Sequence, residues 1–173
     1  ARPNSPIFSL AWGNSRPLTV VAGDPYGVAH WNNWGHPFAQ FFPSRGQKSS
    51  IHAVAVSNDG RLASASSDSS VCLWQIRGKK LLWKRQEMKC YDALCFTPDG
   101  KTLLCGGWDA KVHLLDTNTG KTQRELEGHE GRIMAMDLSP DGTLLATGGD
   151  DKTVRLWDLR AGTLRHTLPG HTA

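Results

Sequence analysis

A stretch of sequence recurs along this chain at a nearly fixed interval. Three copies align directly: AVAVSNDGRLASASSDSSVCLW, ALCFTPDGKTLLCGGWDAKVHLLD and AMDLSPDGTLLATGGDDKTVRLWD. Their first turns fall at Ser57, Thr97 and Ser139, which lie 40 and then 42 residues apart. A fainter copy, SLAWGNSRPLTVVAGDPYGVAHW, places Gly13 44 residues before Ser57. Four copies at this interval predict a repeat architecture in which each copy is one structural unit.

Each copy is predicted to form four short strands. In the last copy these are Ile133–Ser139, Leu144–Gly149, Thr153–Asp158 and Thr163–Leu168, where β-branched and aromatic residues are frequent and no helical period competes. The segment SPDG between the first two predicts a tight hairpin, because Gly142 can adopt a positive φ without steric cost. The second strands are rich in small residues, and apolar side chains occur on both faces. This pattern predicts sheets that are buried on both sides.

The last copy carries a family signature. It reads GHEGRIMAMDLSPDGTLLATGGDDKTVRLWD from Gly128 to Asp158 and resembles the WD-repeat family, whose repeats carry Gly-His early and Trp-Asp late. Earlier copies depart from it, with Leu115-Asp116 or Trp74-Gln75 in place of Trp-Asp. The resemblance implies an all-β WD-repeat β-propeller with four four-stranded antiparallel blades, near residues 5–45, 46–86, 87–127 and 128–173.

The resemblance also bears on the number of blades in the propeller. WD-repeat propellers usually contain more than four blades, so this chain is expected to be part of a larger propeller or half of a paired one. Leu168-Pro-Gly170-His171 repeats the segment that introduces the last blade, which predicts a following blade for His171. That blade would come from the same chain or from a second copy.

Each well-formed blade of the family holds a buried hydrogen-bond network. The resemblance implies that the last blade joins His129, Thr147, Asp151 and Trp157 in this way. Blade 46–86 keeps the members Ser64, Asp68 and Trp74, and blade 87–127 keeps Asp109. These two blades are expected to depend more on packing. A His beside a hydroxyl and a carboxylate also fits a nucleophile–base–acid set. We interpret it as structural, because no GxSxG, HExxH or phosphate-binding glycine motif accompanies it, and we predict no enzyme.

The family's exposed face can be transferred by position, and it predicts where partners bind. One position is the residue before each hairpin Asp: Ser67, Trp108 and Asp150. Others lie two apart at the start of each first strand: Ser50 with His52, Cys90 with Asp92, and Arg132 with Met134. Trp108 is the most informative, because Trp and Arg are enriched at binding hot spots. The alternative is that Trp108 folds over its own blade.

Other stretches offer alternative surfaces. The basic run Arg77–Lys89 predicts either a solvated face or a patch for nucleic acid or anionic membrane. The aromatic segment Tyr26–Phe42 could lean on a neighbouring element. Trp157–Arg160 matches the Trp-Asp-x-Arg pattern of substrate receptors of cullin-RING ubiquitin ligases.

Composition narrows the function class. The formal net charge of +4 does not demand nucleic acid, and no apolar run is long enough to span a membrane. The four cysteines lack CxxC spacing, so we expect no metal and no cofactor. Buried thiols favour the cytoplasm or another intracellular reducing compartment. The leading prediction is a non-enzymatic protein–protein interaction scaffold, or the sensory propeller domain of a larger protein.

Overall fold

A computed structural model describes residues 9–13, 19–24, 27–32, 49–86 and 89–170, the first three ranges by their backbone alone. Every secondary-structure element in these ranges is a β-strand. None of the described residues belongs to a helix long and apolar enough to cross a membrane.

The strands form four antiparallel sheets that follow one another along the chain, and within each sheet the strands pair in sequence order. Blade 1 contains β1 (Ser9–Gly13), β2 (Thr19–Asp24) and β3 (Gly27–Asn32). Blade 2 contains β4 (Ile51–Val56), β5 (Arg61–Ser66), β6 (Ser70–Gln75) and β7 (Lys80–Gln86). Blade 3 contains β8 (Tyr91–Phe96), β9 (Thr102–Gly107), β10 (Lys111–Asp116) and β11 (Thr122–Glu127). Blade 4 contains β12 (Ile133–Leu138), β13 (Leu144–Gly149), β14 (Thr153–Asp158) and β15 (Thr163–Pro169). The all-β propeller fold class is thereby confirmed. The fourth strand predicted for blade 1 would lie outside the described residues.

The blades stack face to face. The first strands of successive blades are neighbours, with β1 against β4, β4 against β8 and β8 against β12. Between blades 2 and 3 the core contains buried apolar side chains from both sheets, among them Val71, Leu73, Tyr91, Leu103 and Leu115. Between blades 3 and 4 it contains Leu104, Val112, Ile133, Leu145 and Trp157. Strands β5, β6 and β9 are buried on both faces, as their small and apolar residues predicted.

The hairpin after the first strand is built from the predicted turn residues. In blade 4, Gly142 has a φ of 72° and its N–H donates to the Ser139 carbonyl at 2.8 Å. The Ser139 hydroxyl donates to Asp141 Oδ1 at 2.6 Å. Ser139 is therefore part of the turn, and β12 ends at Leu138, one residue earlier than predicted.

The outer face of blade 4 differs from the equivalent faces of the two blades before it. Val154 is 39% exposed, whereas Val71 and Val112, at the same repeat position, are fully buried. On the neighbouring strand, Leu164 and Leu168 are also exposed. Blade 4 therefore presents an apolar face that no described residue covers.

Candidate functional site

The positions predicted for a partner-binding face meet at one end of the blades because of a repeated local irregularity. In blades 2, 3 and 4 the register between the first and second strands shifts at the second residue of the first strand. That residue is His52, Asp92 or Met134, and the Cα pairing of the two strands passes over it. A bulge of this kind turns the side chain out of the regular alternation.

A backbone hydrogen bond brings the second set of positions to the same end. The amides of Ser67, Trp108 and Asp150 donate to the carbonyls of Ser50, Cys90 and Arg132, respectively, at 2.8 to 3.1 Å. Each hairpin tip is therefore fastened beside the start of its own first strand. The positions that the family resemblance assigns to one face are therefore neighbours in blades 2, 3 and 4.

Four of these side chains form a polar chain that crosses three blades. The Ser67 hydroxyl lies 2.6 Å from His52 Nε2, and His52 Nδ1 lies 3.2 Å from Asp92 Oδ1. Asp92 also accepts two hydrogen bonds from Arg132, from Nε at 2.6 Å and from the terminal nitrogen at 2.7 Å. Asp92 is only 6% exposed. A nearly buried carboxylate held by a two-pronged guanidinium is a strong, directional pair that fixes blade 4 against blade 3.

Trp108 completes this group without entering the core. The Arg132 guanidinium carbon lies 4.5 Å from the centre of the Trp108 ring, so a cation–π contact joins the two side chains. Trp108 is nevertheless 59% exposed. The side chain therefore does not fold over its own blade; it rests on a residue of the next blade. The hydrogen bonds to Asp92 raise the pKa of Arg132 above its ordinary value, so its charge is permanent.

Met134 and Asp150 flank this group on blade 4. Both are exposed, and the Asp150 carboxylate adds to the negative potential around Arg132. We call Ser67, His52, Asp92, Arg132 and Trp108 the polar–aromatic face. In this face the Ser67 hydroxyl lies beside the His52 imidazole, whose other nitrogen faces Asp92, but the Asp92 carboxylate is also bound twice by Arg132. The exposed Trp108 ring beside these paired polar groups is a feature typical of contact surfaces.

The four predicted network residues of blade 4 lie in one buried hydrogen-bond chain. The Trp157 indole N–H donates to the Thr147 hydroxyl at 2.9 Å, and that oxygen lies 2.7 Å from His129 Nε2. His129 Nδ1 lies 2.8 Å from Asp151 Oδ2. A carboxylate can only accept, so Nδ1–H donates to Asp151, and in the neutral imidazole Nε2 accepts from the Thr147 hydroxyl. The chain joins the approach to blade 4, β13, the second hairpin and β14.

This chain resembles a catalytic set in composition but not in access. Thr147 is 2% exposed and its oxygen already accepts from Trp157. Burial by itself raises the pKa of Asp151. The Glu130 amide, His129 and Thr153 donate to the carboxylate and hold that pKa well below its ordinary range. Every group in the chain has a partner, so the arrangement satisfies buried polar atoms and leaves no reactive hydroxyl.

Among the described residues, blades 2 and 3 show parts of this chain. In blade 2 the Trp74 indole N–H donates to Ser64 at 3.1 Å, while Asp68 accepts from the Ser70 amide. In blade 3, Asp109 Oδ2 lies 2.7 Å from Nε2 of His113, and His113 Nδ1 lies 3.3 Å from Glu125. The sequence interpretation missed His113. The signal was an Asp followed four residues later by a His on the third strand, the spacing that Asp151 and Arg155 share in blade 4.

The other candidate stretches are distributed as follows. In β7 exposure alternates, so Lys80 and Lys84 face solvent while Trp83 and Arg85 turn towards blade 3. In the Trp-Asp-x-Arg segment, Arg165 binds Asp158, and Arg160 is exposed.

All four cysteines are free, and burial raises the pKa of Cys72 and of Cys95 to about 12. Within the described ranges, no three His, Cys, Asp or Glu side chains could hold a metal together. Apart from the β3 backbone, Tyr26–Phe42 lies outside them, as does His171.

Comparison with known families agrees with this geometry. Residues 39–75 and 120–158 match the model of the WD domain, G-beta repeat, and residues 58–138 match that of the anaphase-promoting complex subunit 4 WD40 domain. The chain belongs to the WD-repeat family. Both WD-repeat models match stretches that include strands of the described blades.

Two WD-repeat relatives match over part of their length. The small ribosomal subunit protein RACK1 of Drosophila melanogaster is 30% identical over 114 residues, which is 65% of this chain and 35% of the relative. The small ribosomal subunit protein RACK1y of Oryza sativa subsp. japonica is 31% identical over 83 residues, 47% of this chain and 24% of the relative. The matched stretches thus span about a third or less of these relatives.

Proposed function

We propose that this chain is a non-enzymatic scaffold that holds a protein partner on the polar–aromatic face. The observation that carries the proposal is the exposed Trp108 ring, fixed in place by Arg132 from the next blade. A rigid aromatic side chain loses little conformational entropy when a partner covers it. Covering the exposed part of one indole contributes about 2–4 kcal/mol of binding free energy before the costs of association.

The charged residues around Trp108 supply selectivity. Arg132 retains its charge and is paired with the nearly buried Asp92, so a partner meets a guanidinium that is already oriented. Asp150 and Met134 extend the surface with one carboxylate and one flexible apolar side chain. A partner segment with an apolar group for Trp108 and a polar group at Arg132 fits this arrangement.

The relatives support a protein-binding role, and the cysteine thiols support an intracellular location. Both relatives are named as small ribosomal subunit proteins, so they are components of an assembly. We extend to this chain only the role of a protein-binding component. The four free cysteines support work in an intracellular reducing compartment such as the cytoplasm.

Replacing Trp108 tests the proposal. Trp108→Ala should weaken capture of specific protein partners at least about tenfold, because a hot-spot side chain is lost. The melting temperature of the variant should stay within a degree or two of that of the unchanged protein, since the Trp108 ring is not in the core. The measurement is quantitative affinity capture of the full chain, read by mass spectrometry, alongside thermal unfolding.

Leu82→Ala is the matched control, because Leu82 is also a large exposed apolar side chain but lies on β7 at the rim of blade 2. It should leave the captured set unchanged. If Trp108→Ala lowers the melting temperature strongly and captures the same proteins, Trp108 serves the fold and the proposal is wrong.

A further inference from the structure

A cleft of about 400 Å³ lies on the outer side of blades 2 and 3, away from the polar–aromatic face. It separates β7 of blade 2 from the turn that joins β10 and β11 of blade 3. Three cations, two hydroxyls, an indole and a glycine line it: Lys84, Arg85, Lys121, Thr119, Thr122, Trp83 and Gly120. No carboxylate is among these lining residues.

The cleft is built by close contact between Trp83 and the turn. The Trp83 indole N–H donates to the Thr117 carbonyl at 2.8 Å. Gly120 has a φ of 70°, and a Cβ at this position would lie 3.2 Å from the Trp83 ring. The positive φ and the close indole both favour glycine at this position of the turn. The floor of the cleft is thus held in one geometry.

Arg85 connects the two walls. Its terminal nitrogen donates to the Gly120 carbonyl and to the Thr122 hydroxyl, both at 2.9 Å. This positions a guanidinium charge at the cleft. The Thr122 oxygen accepts from Arg85, and its own O–H can donate to a ligand. Lys84 and Lys121 are exposed at the rim, where their ammonium groups can reach an anion.

The carboxylate closest in sequence to this turn is already engaged. Asp116 accepts hydrogen bonds from the Thr119 hydroxyl and amide, both at 2.8 Å, and from the Asn118 amide at 3.1 Å. These bonds hold the pKa of Asp116 below its ordinary value, and the bond from the Thr119 hydroxyl contributes most. Asp116 is therefore held within its own turn, and it is not among the residues that line the cleft.

We propose that this cleft binds a single phosphate group carried by a phosphorylated segment of a partner protein. A phosphomonoester has about two negative charges and three acceptor oxygens, which match a guanidinium, two ammonium groups and a hydroxyl donor. The site is compact, whereas a nucleic-acid strand needs cations along a continuous path. The basic run does not form such a path. Lys80 faces solvent, Arg85 turns inwards, and Lys89 Nζ lies 3.9 Å from Asp109 Oδ2.

The test uses a short glycine-flanked phosphoserine peptide and the full chain, observed by NMR. The phosphorylated peptide should shift the Gly120, Lys121 and Thr122 amide signals and the Trp83 indole signal saturably, at constant ionic strength. The unphosphorylated peptide should not. Lys121→Gln should weaken the binding about threefold, and combining it with Lys84→Gln about tenfold, as expected for exposed charges.

Lys101→Gln is the matched control, because it removes the same charge from an exposed turn of blade 3 outside the cleft. It should not weaken binding, and neither should Trp108→Ala. The proposal is overturned if the unphosphorylated peptide causes the same shifts, or if Lys101→Gln weakens binding as much as Lys121→Gln. It is equally overturned if a short single-stranded RNA, phosphatidylserine vesicles or inorganic phosphate binds the cleft more tightly than the phosphopeptide.

Discussion

The buried chain of blade 4 makes a specific prediction about Thr147. Thr147→Val keeps the β-branched shape but removes the hydroxyl that accepts from Trp157 and contacts His129. Both neighbours are buried, so neither can turn to water for a new partner. The substitution therefore leaves an indole N–H and an imidazole nitrogen without their hydrogen-bond partners.

The expected loss follows from these two groups. A buried polar group without a partner costs about 1–3 kcal/mol. Two such groups, partly offset by the added methyl group, give a loss of about 2–4 kcal/mol in the free energy of unfolding. Because a domain of this size is stable by about 5–15 kcal/mol, the change is large enough to measure.

Urea unfolding followed by tryptophan fluorescence measures this loss. Thr163→Val is the matched control, because Thr163 lies on the exposed strand β15. It should change the free energy of unfolding by no more than about 0.5 kcal/mol. If the two valine variants unfold at the same urea concentration, the hydrogen-bond chain does not stabilise blade 4 and the reasoning is wrong.

Two further predictions concern Asp151 and the outer face of blade 4. Because hydrogen bonds hold the pKa of Asp151 below its unfolded value of about 3.9, its contribution to stability is complete above that value and disappears as the pH falls through the folded pKa. Asp151→Asn should therefore flatten the loss of melting temperature between about pH 5 and pH 2, and parallel curves for the two proteins would contradict the assignment. The exposed apolar residues Val154, Leu164 and Leu168 should make the isolated chain either pair with a second copy or bind an apolar-surface dye. Light scattering that reports a monomer, together with no dye binding, would contradict this expectation.

The sequence predicted the fold well because the information is local and repeated. The turn segments SNDG, TPDG and SPDG each supply a glycine that adopts positive φ, at Gly60, Gly100 and Gly142. Together with the alternation of β-branched residues, they define hairpins that need no distant partner. The family resemblance located the positions of Trp108 and Arg132 by their place in each copy. What repetition could not supply was the contact between them, because it joins residues of different blades.

The site depended on features that a one-dimensional pattern does not contain. The bulges at His52 and Asp92 redirect two side chains out of the strand alternation, so that Asp92 meets Arg132 of the next blade. The pairing of Asp109 with His113 was also missed, because the family pattern places the His before the first strand. In the basic run, the strand alternation directs Arg85 towards blade 3 and leaves its neighbour Lys84 exposed.

The amino-acid sequence was sufficient to predict the structural unit of this protein: a four-stranded antiparallel sheet, its turns, and a core apolar on both faces. These follow from short-range sterics and from burial, which each repeat encodes within its own residues. Which polar side chains meet depends on how the blades stack, as in the contact of Arg132 with Trp108 and the cleft between Trp83 and Gly120. Hydrogen bonds and ring contacts require ångström-scale distances between blades, and stacking sets those distances.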